Sequence, residues 1–188
     1  MANDLRNTGD SELFERLRGT GNERERAFAE LYNRHSRRIY LYCLRILGEE
    51  EQANDVFQET FLRLLQSAER VERIDNVPAY VLRIARNLCF DNKKRHAREL
   101  VPIEELNIAV EDVSLESKEL ARLVALALDL LPENHREAFV LQTYNGMSYK
   151  EIADLMEVPM TSVRNWVVRA KRRIREVLSP YLEEYRSK

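Results

Sequence analysis

The chain has 188 residues, with 30 Lys and Arg against 32 Asp and Glu, so its formal net charge of −2 provides no global attraction to nucleic acid or to a membrane surface. Any such attraction has to be local. The length allows one ordinary domain or two small ones, and only five Gly and five Pro argue against turn-dense sandwiches and barrels and for helices.

The longest unbroken apolar run, residues 123–128, is far short of the roughly 20 residues a bilayer-spanning helix requires. The first residues alternate charged and apolar side chains and lack the apolar stretch of a signal peptide, so a cytoplasmic protein without membrane insertion is expected. Cys43 and Cys89 stand apart inside helical patterns, with no CxxC pair and no His at ligand spacing. They read as buried, reduced thiols, and no metal site is suggested.

Taken in chain order, a short leading helix is expected over residues 11–18, before Gly19. From Phe28 the apolar residues Leu31, Tyr32, Ile39, Tyr42, Cys43, Ile46 and Leu47 keep close to one face of a long amphipathic helix that Gly48 ends. Ala53, Phe57, Phe61, Leu64 and Ala68 mark a second helix. Its other side groups Asp55, Gln58, Glu59 and Leu62, an acidic and partly apolar surface unsuited to DNA and suited to a protein with basic residues.

A third helix opens near Pro78 and carries Val81, Ile84, Ala85 and Leu88 on one side. Arg83, Arg86, Asn87, Phe90 and Lys94 point the other way, followed by Lys93, Arg95 and Arg98. An outward aromatic ring among cations suits single-stranded nucleic acid, because bases stack while the cations hold the backbone. Residues 99–119 then turn acidic, with Pro102 as an interruption, and read as a flexible acidic linker.

Beyond the linker, a helix over residues 115–131 is followed by one that Pro132 opens and Gly146 stops. Ser148, Tyr149, Lys150 and Glu151 have the S-x-x-E form of a capping box and start a short helix with Ile152, Leu155 and Met156 on its apolar side. Four residues, 157–160, separate it from a helix beginning near Thr161. A short helix, a tight turn and a basic helix make a helix-turn-helix.

On that last helix Val163, Val167, Ala170, Ile174 and Leu178 form a packing stripe, while Thr161, Asn165, Val168, Arg169 and Arg172 lie opposite. No acidic residue occurs from Met160 to Arg175, although the whole chain is net acidic. The N-terminal part of the second helix of such a motif meets base edges, so Arg164, Asn165, Val168 and Arg169 are the candidate readers. Arg172, Arg173 and Arg175 would hold phosphates, and Trp166, at the border of the stripe, reads as core.

The strings DVFQETFLRLL, VPAYVLRIARNLCFDNKKR and LPENHREAFVLQTYNGMSYKEIADLMEVPMTSVRNWVVRAKRRIREVL, with a short acidic linker between the second and third, resemble the extracytoplasmic-function (ECF) sigma factors of bacterial RNA polymerase. The resemblance implies an all-α chain of two small domains: residues 1–98 for polymerase clamp binding and minus-ten melting, a flexible acidic linker over 99–114, and a helix-turn-helix domain over 115–188 for the minus-thirty-five element. It places Asp55, Gln58, Glu59 and Leu62 at the polymerase. The loop 71–78, with Arg73, Asp75 and Asn76, would capture a flipped base beside Arg83, Arg86 and Asn87. Thr161, Ser162, Arg164, Asn165, Val168, Arg169, Arg172 and Arg173 would face the upstream duplex.

The resemblance further implies promoter DNA and core RNA polymerase as partners, control by an anti-sigma factor, and a stress or envelope signal as the stimulus. Two positions depart from the family. Glu157 stands where related turns often carry Gly or Asn, and a left-handed backbone there would cost about 1 kcal/mol, so a different turn geometry is open. Trp166 and Val168 replace commonly polar or basic residues, which leaves the upstream sequence preference unread.

Two other functions compete on the residues alone. A dimeric helix-turn-helix repressor or activator would bind palindromic duplex without polymerase, at half-sites about 34 Å apart. A helical adaptor that binds only proteins would leave both basic helices as solvated faces. An enzyme is the weakest reading: His35, His96 and His135 are scattered, and no Gly-rich phosphate loop or nucleophile constellation is present, so no catalytic residue and no cofactor is assigned.

Overall fold

The computed structural model describes residues 5–96 and 115–186, and among these all regular structure is helical. After a 3-10 turn at Leu5–Asn7 come α1 (Asp10–Arg16), α2 (Asn22–Leu47), α3 (Glu50–Ser67), α4 (Val77–His96), α5 (Leu115–Asp129), α6 (Glu133–Thr143), α7 (Tyr149–Met156) and α8 (Met160–Arg186). They fall into two compact units, the first holding α1, α3, α4 and most of α2, the second holding α5 to α8. The linker expected over 99–114, and Arg98 before it, lie outside the described residues.

In the first unit α2 meets α3 through a run of rings. Tyr32 lies 4.8 Å from Phe61 and 5.8 Å from Phe57 between centroids, and Phe57 meets Tyr40 edge-on at 5.8 Å. Such tilted and edge-to-face pairs suit the aromatic quadrupole. Phe61 and Leu64 are buried as the spacing predicts, and Val56 and Thr60 join them while Phe57 stays half-buried. The buried Thr60 hydroxyl donates to the Val56 carbonyl at 2.7 Å, which satisfies it within its own helix.

The face of α4 differs by one position from the predicted stripe. Leu82 is buried and Ile84 is half-exposed, alongside the expected Val81, Ala85 and Leu88. Besides its other neighbours, α4 is packed by α1, where Phe14 meets Tyr80. Cys43 and Cys89 are buried and form no disulfide.

In the second unit α8 is the central element, packed by α5, α6 and α7. Val163, Val167, Ala170, Ile174 and Leu178 are all buried, as the helical period predicts. Ala127, Leu128, Leu131 and Phe139 form one cluster with the last three of these. Gly146, at φ 67°, carries the chain out of α6 with the left-handed backbone that glycine adopts without penalty.

Candidate nucleic-acid interface

The helix-turn-helix is built from its caps. Ser148 accepts from the Glu151 amide at 3.3 Å, and Glu151 in turn accepts from the Ser148 amide at 2.8 Å and its hydroxyl at 2.7 Å, so the capping box is closed in both directions. These bonds to its charged form hold the Glu151 carboxyl below its ordinary 4.5. At the far end of α7, Glu157 takes φ 57° and ψ 46° and is the one described non-glycine residue at positive φ. The ordinary left-handed turn is therefore kept despite the missing Gly, at a backbone cost of about 1–2 kcal/mol. The Val158 amide bonds back to the Ala153 carbonyl at 3.1 Å, and Pro159 accepts the first amide bonds of α8.

From that turn α8 presents Thr161, Arg164, Asn165, Val168 and Arg169 as exposed side chains, while Ser162 is half-buried. Val168 is 57% exposed, an apolar side chain in the middle of a polar face, and an apolar group there can meet a thymine methyl. Arg172 and Arg173 are each turned toward Glu176, at 3.6 and 3.5 Å. Trp166 is half-buried and lies 6.4 Å from the His135 ring between centroids. Burial and the nearby Arg169 charge lower the pKa of His135. Sequence reasoning left His135 among scattered histidines, because nothing in α6 announces that its first turn faces α8.

The basic face of the first unit lies on α4. Arg83 and Asn87 are exposed, and the Arg86 guanidinium sits 4.8 Å from the centroid of the half-buried Phe90 ring. This cation–π pair lies at i,i+4 on one side of the helix, so ring and charge sit together, each partly open to solvent. Lys93, Lys94, Arg95 and His96 gather in the last turn, where the helix dipole favours positive charge.

The loop before α4 places its three predicted residues differently. Asn76 accepts from the Ala79 amide at 3.0 Å, so its side chain caps α4. Arg73 and Asp75 pair at 3.0 Å and are both largely exposed. On α3, Asp55 and Gln58 are exposed, Leu62 is 49% exposed, and Glu59 pairs with Arg63 at 2.7 Å. Among the described residues no His, Cys, Asp and Glu cluster fits a metal ion, and no helix is long and apolar enough to cross a membrane.

Two helical units, one carrying a basic face with an aromatic ring and the other a helix-turn-helix, have the build of a DNA-binding protein. Comparison with known proteins narrows the class. Residues 31–99 match the Sigma-70 region 2 family and residues 121–174 match Sigma-70, region 4. The chain is 32% identical over 149 residues to the ferric citrate uptake sigma factor FecI of Escherichia coli, covering 76% of this chain and 86% of that one. It is 30% identical over 162 residues to the ECF RNA polymerase sigma factor SigE of Mycolicibacterium smegmatis, covering 82% of this chain and 63% of SigE.

Among solved structures, the fold matches the sigma factor RpoE in complex with the anti-sigma factor NepR from Bartonella quintana. The TM-score is 0.71 at 23% identity, over 81% of this chain and 96% of that one. It also matches CnrH in complex with the cytosolic domain of CnrY, with a TM-score of 0.66 at 25% identity, over 92% and 99%. The chain belongs to the ECF sigma factor family.

Proposed function

We propose that this protein is an alternative sigma factor that joins core RNA polymerase in the cytoplasm and directs it to promoters carrying two separated recognition elements. The observation that carries this reading is the pairing, in one chain, of a half-buried Arg86–Phe90 cation–π pair beside the exposed Arg83 and Asn87 with a capped helix-turn-helix whose basic face is open. A protein that only grips duplex has no use for the first; one that only grips single strands has no use for the second.

In this division of labour residues 1–98 form the melting domain, 99–114 the linker and 115–188 the duplex-reading domain. Arg164, Asn165, Val168 and Arg169 meet base edges in the major groove, with Thr161 and Ser162 at the helix start, while Arg172 and Arg173 exchange Glu176 for phosphates. Arg83, Arg86 and Asn87 line the melted strand beside the loop of Arg73, Asp75 and Asn76, and Phe90 offers a ring for stacking. Asp55, Gln58, Glu59 and Leu62 dock on a basic surface of the polymerase.

Taking a base out of the stack costs a few kcal/mol, so energy from the duplex contact and from polymerase has to support melting. The free protein accordingly binds promoters poorly. Control by an anti-sigma factor that masks these faces belongs to this reading, and the solution of RpoE in complex with the anti-sigma factor NepR supports it.

The deciding experiment is transcription in vitro with bacterial core polymerase on a pool of promoter fragments. The wild type is compared with Asp55→Ala, Gln58→Ala combined and with Arg164→Ala, Arg169→Ala combined. Initiation that depends on the protein, lost in the first pair and redirected or lost in the second, is the expected result. Duplex binding as a dimer with no effect on polymerase would replace this reading with a repressor or activator.

A further inference from the structure

The loop between α3 and α4 is held by a residue far from it in the sequence. Ser11, in the first turn of α1, donates its hydroxyl to the Asp75 carbonyl at 3.2 Å across 64 positions. One turn further, Phe14 is fully buried and sets its ring edge-on to Tyr80 of α4, 6.4 Å between centroids. The two contacts grip the loop and the start of the helix that follows it.

A seven-residue helix does not hold its own shape in water, so α1 has to be fixed by something else. Arg34 of α2 does this. Its guanidinium donates to the carbonyls of Leu5 at 3.0 Å, Arg6 at 2.9 Å and Thr8 at 2.8 Å, and pairs with Asp10 at 2.7 Å. The other Asp10 oxygen lies 2.8 Å from Nε2 of the buried His35. Several charge-assisted bonds from one planar group leave residues 5–10 little freedom.

Core packing accounts for the buried side of α1, where Leu13 and Leu17 sit beside Phe14. It does not account for Ser11, whose bond ends on the backbone of an exposed loop residue. We infer that α1 is a positioning element for base capture: Ser11 fixes the backbone at Asp75 and thereby aims the Arg73 and Asp75 side chains at the unpaired strand. The inference rests on the proposed role of the loop 71–78. Ser11 touches no nucleic acid in it and acts only through Asp75.

The test uses the holoenzyme reconstituted from the full chain and bacterial core polymerase, transcribing a template library randomised over both promoter elements, with the transcribed templates sequenced. The proteins are wild type, Ser11→Ala, Ser11→Thr, and Arg73→Ala combined with Asp75→Ala. Loss of one such hydrogen bond is expected to flatten the base preference of the melted element by roughly two- to fivefold in Ser11→Ala. The upstream preference, core affinity and thermal midpoint stay at the wild-type level, and Ser11→Thr, which keeps the hydroxyl, keeps the preference.

An unchanged preference in Ser11→Ala, with the Arg73 and Asp75 variant losing it, overturns the inference and leaves the loop's role standing. Equal loss on all templates with a fallen midpoint overturns it too, as a purely structural role. Preference retained in the Arg73 and Asp75 variant instead removes the base-capture role itself, and the inference falls with it.

Discussion

Ser148 and Glu151 grip each other through both backbone and side chain, each satisfying an amide of the other at the start of α7. The first helix of the helix-turn-helix is only eight residues long, so its entry is set by this pair more than by intrinsic helicity.

Replacing Ser148 by Ala is expected to cost about 1 kcal/mol of stability. Trp166, the one tryptophan of the chain, lies in α8 and reports on this unit in urea titrations. The carboxyl of Glu151 is held below its ordinary 4.5, so the folded state prefers the ionised form. Its contribution is complete above that value and is lost as pH falls through the lowered one. Glu151→Gln should therefore weaken the unit at neutral pH and lose less than the wild type as pH falls below 4.5 and through the lowered value. Parallel pH profiles for the two proteins would show that the box is not closed in solution.

The contact between His135 and Trp166 gives a second pH signature in the same unit. The His135 pKa is lowered first by burial and then by Arg169, so the unfolded chain takes up a proton before the folded one does. Stability is full above the ordinary 6.5 and falls as pH drops from there toward the lowered value. Once protonated, an imidazolium beside an indole quenches its fluorescence. Native emission of Trp166 should fall with a midpoint below 6.5, move toward 6.5 in Arg169→Gln, and lose this step in His135→Gln. A midpoint unmoved by Arg169→Gln would show that the arginine charge does not reach the ring.

Periodicity located most of the helices because their stripes are long and their stops are explicit. The five residues of the α8 stripe are all buried, and the capping box and Gly146 punctuate the chain where the structure turns. The three candidate faces follow from the same wheel, since Arg164, Asn165 and Arg169, or Asp55 and Gln58, are exposed where the stripe is not. What one helix cannot announce is which neighbour covers it. Leu82 is buried where the spacing predicts Ile84, and α1 reaches α4 at Tyr80 from 60 or more residues away in the chain, a contact no local pattern carries. Asn76, which the resemblance sets beside the flipped base, also caps α4, a local role the sequence reading did not assign.

The Glu157 turn is where sequence and fold pull against each other. A residue with a Cβ occupies the left-handed region, which costs about 1–2 kcal/mol relative to glycine in the folded state. Glycine would in turn give the unfolded chain more freedom, worth about 0.4–1 kcal/mol in the opposite direction. Glu157→Gly should therefore stabilise the second unit by a net of up to about 1.5 kcal/mol, and Glu157→Val should destabilise it, because β-branching makes positive φ costlier. Urea midpoints read at Trp166 measure both. A destabilised Glu157→Gly would mean that the glutamate side chain makes a compensating contact in solution.

Glu176 holds two of the arginines assigned to phosphates, Arg172 at 3.6 Å and Arg173 at 3.5 Å, with all three side chains more than half exposed. Pairs this exposed contribute about 0–1 kcal/mol, so giving them up for DNA is a small cost set against phosphate contacts that release counterions. Removing the competitor should strengthen duplex binding. Glu176→Gln is expected to raise the affinity of the full chain for duplex by up to about fivefold at low salt, and to steepen the fall of affinity with salt if either arginine makes a fuller phosphate contact. Asp154→Asn, at an exposed position of α7, changes net charge equally and should raise affinity less. Anisotropy titrations across a salt series separate the two variants. Equal gains would mean that overall charge governs the interaction and that Glu176 has no special hold on the reading helix.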